Sequence, residues 1–183
     1  RFLKIPTGSS PMTLLDVGCG RGDFLIRAAR CGYVATGIDF DPKTVEIACA
    51  RGLDARVAEI HDLSESMKYD AITLSHVLEH VYDPKALIYD VLLRLKPGGY
   101  FYLAVPNFDS AGKLTFSKDW RGVDAPRHMH YFNAVSLKQI LIEAGFVSVK
   151  QVYDLPQSIG VIKSSFKLKF GSRISVAQLV GNI

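Results

Sequence analysis

The run Asp16-Val17-Gly18-Cys19-Gly20-Arg21-Gly22 puts three glycines at alternate positions behind a carboxylate. Glycine lets a backbone approach a ligand with no side chain in the way. Asp39 follows about twenty residues later, the spacing at which a strand-end carboxylate accepts hydrogen bonds from ribose hydroxyls. The loop alone would serve as a tight turn; loop and carboxylate together point to an adenosine-type cofactor. A dinucleotide loop has the form G-x-G-x-x-G, but Asp23 stands where its last glycine would be. Pyrophosphate favours positive surroundings. This loop is flanked by Asp16 and Asp23, which suits a cationic ligand instead.

Histidines form the second group. His76, Glu79 and His80 make H-x-x-E-H, the inverted zinc-protease pattern. On a helix the two histidines would share a face and could chelate a metal. The motif instead follows an apolar run and Ser75, and a third ligand is lacking, so no metal site is assigned. His76 reads as lining a pocket rim and His80 as packing the next segment. Further on, Trp120-Arg121-Gly122 and Ala125-Pro126-Arg127-His128-Met129-His130-Tyr131-Phe132 gather Trp, Arg, two His, Tyr and Phe in one loop. That loop either packs over the sheet edge, with Arg127 in a structural ion pair, or forms the pocket for a second reactant. A histidine with a pKa near 6.5 is the natural base for a hydroxyl that must lose a proton. The candidates are His76, His128 and His130.

These residues need a scaffold. Met12 to Val17 reads as a buried strand ending at Gly18, and Gly22 to Cys31 has helical spacing. Tyr33 to Ile38 is a second strand, ending at Asp39. Asp41-Pro42 and Asp83-Pro84 each read as a helix cap followed by proline at the first helical position. Ala55 to Ala58, Tyr69 to Leu74 and Tyr100 to Val105 read as further strands, with Pro97-Gly98-Gly99 as a turn. Residues 107–133 have no sustained period and read as an excursion from the sheet. Val135 to Ala144 is a helix stopped by Gly145, and Phe146 to Tyr153 a sixth strand. Ile159 to Phe170 fits either an antiparallel strand, with Phe166, Leu168 and Phe170 alternating against Lys167 and Lys169, or a basic amphipathic helix that touches a membrane surface or a partner; the strand is favoured. Strands alternating with helices imply βαβ units and a mostly parallel, Rossmann-like α/β sheet.

Composition narrows the class. The 183 residues suit one domain, 1–183, with an inserted pocket loop at about 107–133. A net charge of +4 from scattered Lys and Arg lacks the basic stripe of a nucleic-acid binder. Cys19, Cys31 and Cys49 form neither a disulfide framework nor a zinc ribbon, which fits a reduced, cytoplasmic compartment. No apolar run is long enough for a transmembrane helix.

Taken together, the sequence resembles the class I S-adenosylmethionine-dependent methyltransferases over about Leu14 to Tyr153. The resemblance rests on Leu15 to Gly22, on Gly37-Ile38-Asp39, on Tyr69 to Val81 and on Leu95-Lys96-Pro97-Gly98-Gly99. It implies a seven-stranded sheet with one antiparallel strand near the C-terminus. It implies S-adenosylmethionine as cofactor, S-adenosylhomocysteine as product, and cofactor contacts at Asp16, Gly18, Cys19, Gly20, Gly22, Asp39, Phe40, Glu59, Ile60 and Ser75. Glu59, or Asp62 in a looser register, would reach the adenine amine. The segment around Glu79-His80 is similar to ubiquinone-pathway O-methyltransferases, which implies O-methylation of a small-molecule hydroxyl. Such families carry a helix before the first strand, whereas only about eleven residues precede Met12 here. The competing readings are a nicotinamide-dependent oxidoreductase and a catalytically silent cofactor-binding module. The oligomeric state is not legible.

Overall fold

A computed structural model of the chain describes residues 10–152 and 155–170. They fall into two compact units, 1–105 and 106–183. In the first, β1 (Met12–Val17), β2 (Tyr33–Asp39), β3 (Ala55–Val57), β4 (Tyr69–Ser75) and β5 (Leu95–Ala104) form one sheet in the order β3-β2-β1-β4-β5. All the pairings are parallel. Helices α1 (Asp23–Arg30), α2 (Pro42–Ala50) and α3 (Pro84–Arg94) make the crossovers. Parallel strands require such crossovers, and both faces of the sheet are then covered. Accordingly β1 and β4 are apolar and inaccessible in their centres: Leu14, Leu15, Ala71, Ile72 and Leu74 lie in the core.

The caps form as their residue types dictate. Asp41 accepts from the Lys43 N–H and Asp83 from the Ala86 N–H, each ahead of a proline that has no N–H to satisfy. The Lys96 to Gly99 segment is an irregularity inside β5, because Leu95 pairs with Tyr69 and Tyr100 already pairs with Ala71.

The second unit holds α4 (Ala111–Phe116), α5 (Ala134–Ala144) and α6 (Leu155–Phe170), with 3-10 turns at Ser117–Asp119 and Arg121–Val123. Its small core is Phe116 and Trp120, flanked by Phe108, Val123 and Val161. Asn133 caps α5 and Gly145, with φ 112, ends it.

The α/β class and the parallel sheet are as expected; the strand count is not. Five strands occur among the described residues rather than seven. Residues 146–152 join no strand, with a bend at Val147, and Val147 and Val152 are exposed. The end of the expected sixth strand, Tyr153, lies outside the described residues. The segment favoured as an antiparallel strand is α6, a helix. Pro156 sits in its first turn, where proline is tolerated. Val161 and Ser165, four apart, share its buried side: Val161 joins the Trp120 core, and Ser165 Oγ accepts the Arg121 N–H at 2.8 Å. That i, i+4 pattern outweighs the short period-two alternation at 166–170. No helix among the described residues is long and apolar enough to cross a membrane. The segment before Ser10 and the one after Phe170 lie outside the described residues.

Candidate functional site

The sheet order reverses between β1 and β4, and open α/β sheets bind ligands at the carboxyl ends of such strands. Asp16 occupies this seam. It is buried next to its cross-strand partner Thr73, whose Oγ1 donates to Asp16 Oδ1 at 2.6 Å. Burial pushes its carboxyl up to about 7; the Thr73 bond and Arg27 work against that, and Asp39 adds to it.

The glycine loop leaves β1 directly. The N–H groups of Gly18 and Cys19 donate to the Ile38 carbonyl at 2.8 and 3.0 Å, which ties the loop to β2. Gly18, with φ 75, has the side chain of Val77 where a Cβ would go. Gly20, with φ 52, has no neighbouring atom within 4 Å of a Cβ, so its outer face is open. Gly22 is the residue before α1 and also has a positive φ, 81.

Asp39 terminates β2. Its Oδ2 accepts the Gly20 N–H at 2.8 Å and its Oδ1 the Asp41 N–H at 2.9 Å. Both oxygens are therefore fixed over the loop and each keeps acceptor capacity. Phe40 next to it is 78% exposed. The Cys19 thiol turns inward onto Gly37, and burial pushes it up to about 12, so this residue offers the site its backbone and not a thiolate.

The acidity expected on both flanks of the loop is unevenly met. Asp23 pairs with Arg51 at 2.8 Å, and Arg51 also holds the Arg21 carbonyl at 2.5 Å. The carboxylates at the loop itself are Asp16 and Asp39.

After β3, Glu59 and Asp62 form a reciprocal cap around the turn Ile60–Asp62, with the Glu59 N–H donating to Asp62 Oδ2 at 2.8 Å. Both carboxylates are exposed. Ile60 is buried, so its side chain anchors the turn and only its backbone can meet a ligand.

Ser75 ends β4 exposed. His76 follows with φ 57, an uncommon conformation for a side chain of this kind, held by its N–H to the Ala104 carbonyl at 2.9 Å. His76 Nδ1 lies 3.0 Å from Glu79 Oε1. Where Glu79 is the acceptor, the ring is the tautomer with Nδ1–H, in which Nε2 is the basic nitrogen. Glu79 is 1% exposed, and its Oε2 meets no hydrogen-bond donor among the described residues.

In the second unit, His128 Nδ1 faces the Gly122 carbonyl at 2.9 Å, and His130 stacks on Phe132 with centroids 6.1 Å apart. Arg121 and Arg127 both pair with Asp124, so Arg127 has the structural ion pair that the loop's plainer reading expected. Trp120 lies against Gly122 and in the Phe116 core.

Three contributors were not singled out from the sequence: Thr73 beside Asp16, Val77 against Gly18, and Arg94 beneath the Glu59 turn. Thr73 had a signal, two positions before Ser75 on the same strand. Arg94 had none; a basic residue in the last turn of a helix ordinarily faces water.

Residues 1–151 match the family described as a methyltransferase domain. A ubiquinone biosynthesis O-methyltransferase of Xanthomonas oryzae is 40% identical over 102 residues, 51% of this chain and 43% of that protein. The chain spans about half the length of the curated relatives it matches. Among solved structures, a S-adenosylmethionine-dependent methyltransferase of Mesorhizobium loti is similar with a TM-score of 0.63 at 20% identity, covering 91% of this chain and 89% of that one. The magnesium protoporphyrin IX methyltransferase of Synechocystis, solved with S-adenosylhomocysteine, gives 0.61 at 21%, covering 76% and 66%.

Proposed function

This chain belongs to the methyltransferase domain family, and from that premise we propose that it moves a methyl group from S-adenosylmethionine to a hydroxyl of a small molecule. The observation that carries the reading is Asp39, its two oxygens fixed by the Gly20 and Asp41 N–H groups at the open face of the glycine loop. A pair of ribose hydroxyls matches that carboxylate. Asp16 and the loop face the sulfonium and α-ammonium groups of the methionine part, and the Glu59 turn faces the adenine. The Xanthomonas relative's name supports oxygen as the attacked atom.

When bound, S-adenosylmethionine supplies a methyl group on a sulfonium that already leaves readily. The protein's share is alignment, exclusion of water and removal of one proton. His76 takes the acceptor's proton on Nε2, and Glu79 holds the ring in that tautomer through Nδ1. His128 and His130 are the alternative bases. The Nδ1 contact of His128 to a carbonyl would likewise put its lone pair on Nε2. Free thiols at Cys19, Cys31 and Cys49 support a cytoplasmic setting. On α6, exposed Ile159 and Ile162 alongside exposed Lys163 support weak contact with an anionic membrane surface.

Isothermal titration with S-adenosylhomocysteine, with NADH as control, tests the cofactor. Binding of S-adenosylhomocysteine alone is expected; binding of NADH alone would overturn the cofactor assignment. For the base, His76→Ala should lower turnover at least tenfold while cofactor affinity stays within about twofold. Full turnover of that variant with a saturating acceptor would transfer the role to His128 or His130.

A further inference from the structure

Arg94 is an unusual residue to find where it is. It ends α3 with its side chain 3% exposed. Guanidinium stays charged at any physiological pH, so its burial is costly unless most of its donors are met. Nη1 donates to Asp90 twice, to Oδ1 at 3.1 Å and to the carbonyl at 3.2 Å. Nη2 donates to the Leu63 carbonyl at 2.8 Å and to the His61 carbonyl at 3.4 Å. Nε meets no acceptor among the described residues. A charge spent on two carbonyls of one short turn, about thirty residues away in sequence, fixes that turn's backbone.

The turn is the one that carries Glu59 and Asp62. Its own restraints are local: the reciprocal cap, the Leu63 N–H to the Ile60 carbonyl at 3.2 Å, and the buried Ile60 and Leu63 side chains. A 3-10 turn of three residues has poor hydrogen-bond geometry and little intrinsic stability. Arg94 bonds its far end to α3, a helix packed in the core.

We propose that Arg94 is a positioning residue for adenine recognition: its guanidinium, anchored on Asp90, sets the Glu59–Leu63 turn so that the turn's carboxylates and the Ile60 N–H read the base. This rests on the cofactor reading above. Lysine keeps the charge but loses the fork, and so cannot serve Asp90 and both carbonyls together.

The test compares two ligands that differ only in the base, S-adenosylhomocysteine and S-inosylhomocysteine, in which an oxygen replaces the 6-amino group. Calorimetry on the wild type should show a preference of about tenfold for the amino form, since a site built to bond a donor rejects its replacement. In Arg94→Lys the preference should fall towards unity. Asp39→Ala should weaken both ligands alike, and by the same factor in either background, because the ribose end is independent of the turn. If Arg94→Lys does not fold, Asp90→Asn, which loosens the same anchor from a more accessible position, gives the same reading in milder form. An unchanged preference in a folded variant, or equal loss of both ligands, overturns the role. A wild type that binds neither ligand rejects the cofactor reading itself, a result distinct from either of these.

Discussion

Asp16 carries a consequence in its ionisation. Its carboxyl is raised from 3.8 to about 7, first of all by burial. In the unfolded chain it ionises near 4, so between about pH 4 and 7 the folded state holds a proton that the unfolded state has lost. Stability therefore falls as pH rises through that window, the reverse of a carboxylate held in an ion pair. Between pH 5 and 8 this residue should cost roughly 2–3 kcal/mol. Urea unfolding at the two pH values should show that decline in the wild type and its loss in Asp16→Asn. A variant that declines as steeply as the wild type would mean that Asp16 is ionised throughout. An α-ammonium group placed beside Asp16 pulls the same equilibrium towards the carboxylate. Binding of S-adenosylhomocysteine at pH 7 should thus release a fraction of a proton, and the affinity should rise from pH 6 to 8. Calorimetry in buffers of different ionisation enthalpy measures that directly. The identity of Asp16 was plain in the sequence; its titration was not, because that depends on Thr73 and on the depth of the seam.

Among the elements, the glycine loop separates two kinds of intolerance. Gly18 and Gly20 both have positive φ, so an alanine at either costs about 1–2 kcal/mol in backbone strain. At Gly18 the new methyl also falls on Val77, which β4 and the turn after it hold in place. At Gly20 it meets nothing. Gly18→Ala should therefore lower the melting temperature by more than Gly20→Ala does, by several degrees. Under the proposed cofactor site, whose ligand approaches that open face, Gly20→Ala should lose cofactor affinity out of proportion to its effect on stability. Equal melting losses with unchanged affinity at Gly20 would remove the loop from the site. The loop, the five strands and the three crossover helices were legible because each depends on local pattern: an apolar run, an Asp-Pro cap, a glycine stop. The end of the chain was not. Whether Phe146 to Val152 becomes a strand depends on a partner and not on its own residues. Whether Ile159 to Phe170 is helix or strand was settled by Val161 and Ser165, whose burial a periodicity cannot show.

For the molecule as a whole, the likeness to solved structures near 20% identity establishes a shared fold, and a fold hosts many activities. What the proposed cofactor site adds to the fold is the convergence of separately positioned groups on one end of one sheet: Asp16 from β1, Asp39 from β2, the Glu59 turn after β3 and His76 after β4. Convergence of this kind has a thermodynamic signature that single contacts lack. A ligand bound only by the folded protein adds about 2.7 kcal/mol at a hundredfold excess over its Kd. For a chain of this length that should raise the melting temperature by about 5–10 °C. Hydrogen exchange should place the effect: with S-adenosylhomocysteine present, slowing is expected at residues 16–22, 39–41 and 59–63 together. Protection of the glycine loop without the Glu59 turn would leave the adenine end unrecognised. A melting shift with no slowing at any of the three segments would mean that the ligand binds elsewhere, and that the carboxyl end of this sheet is a scaffold and not a site.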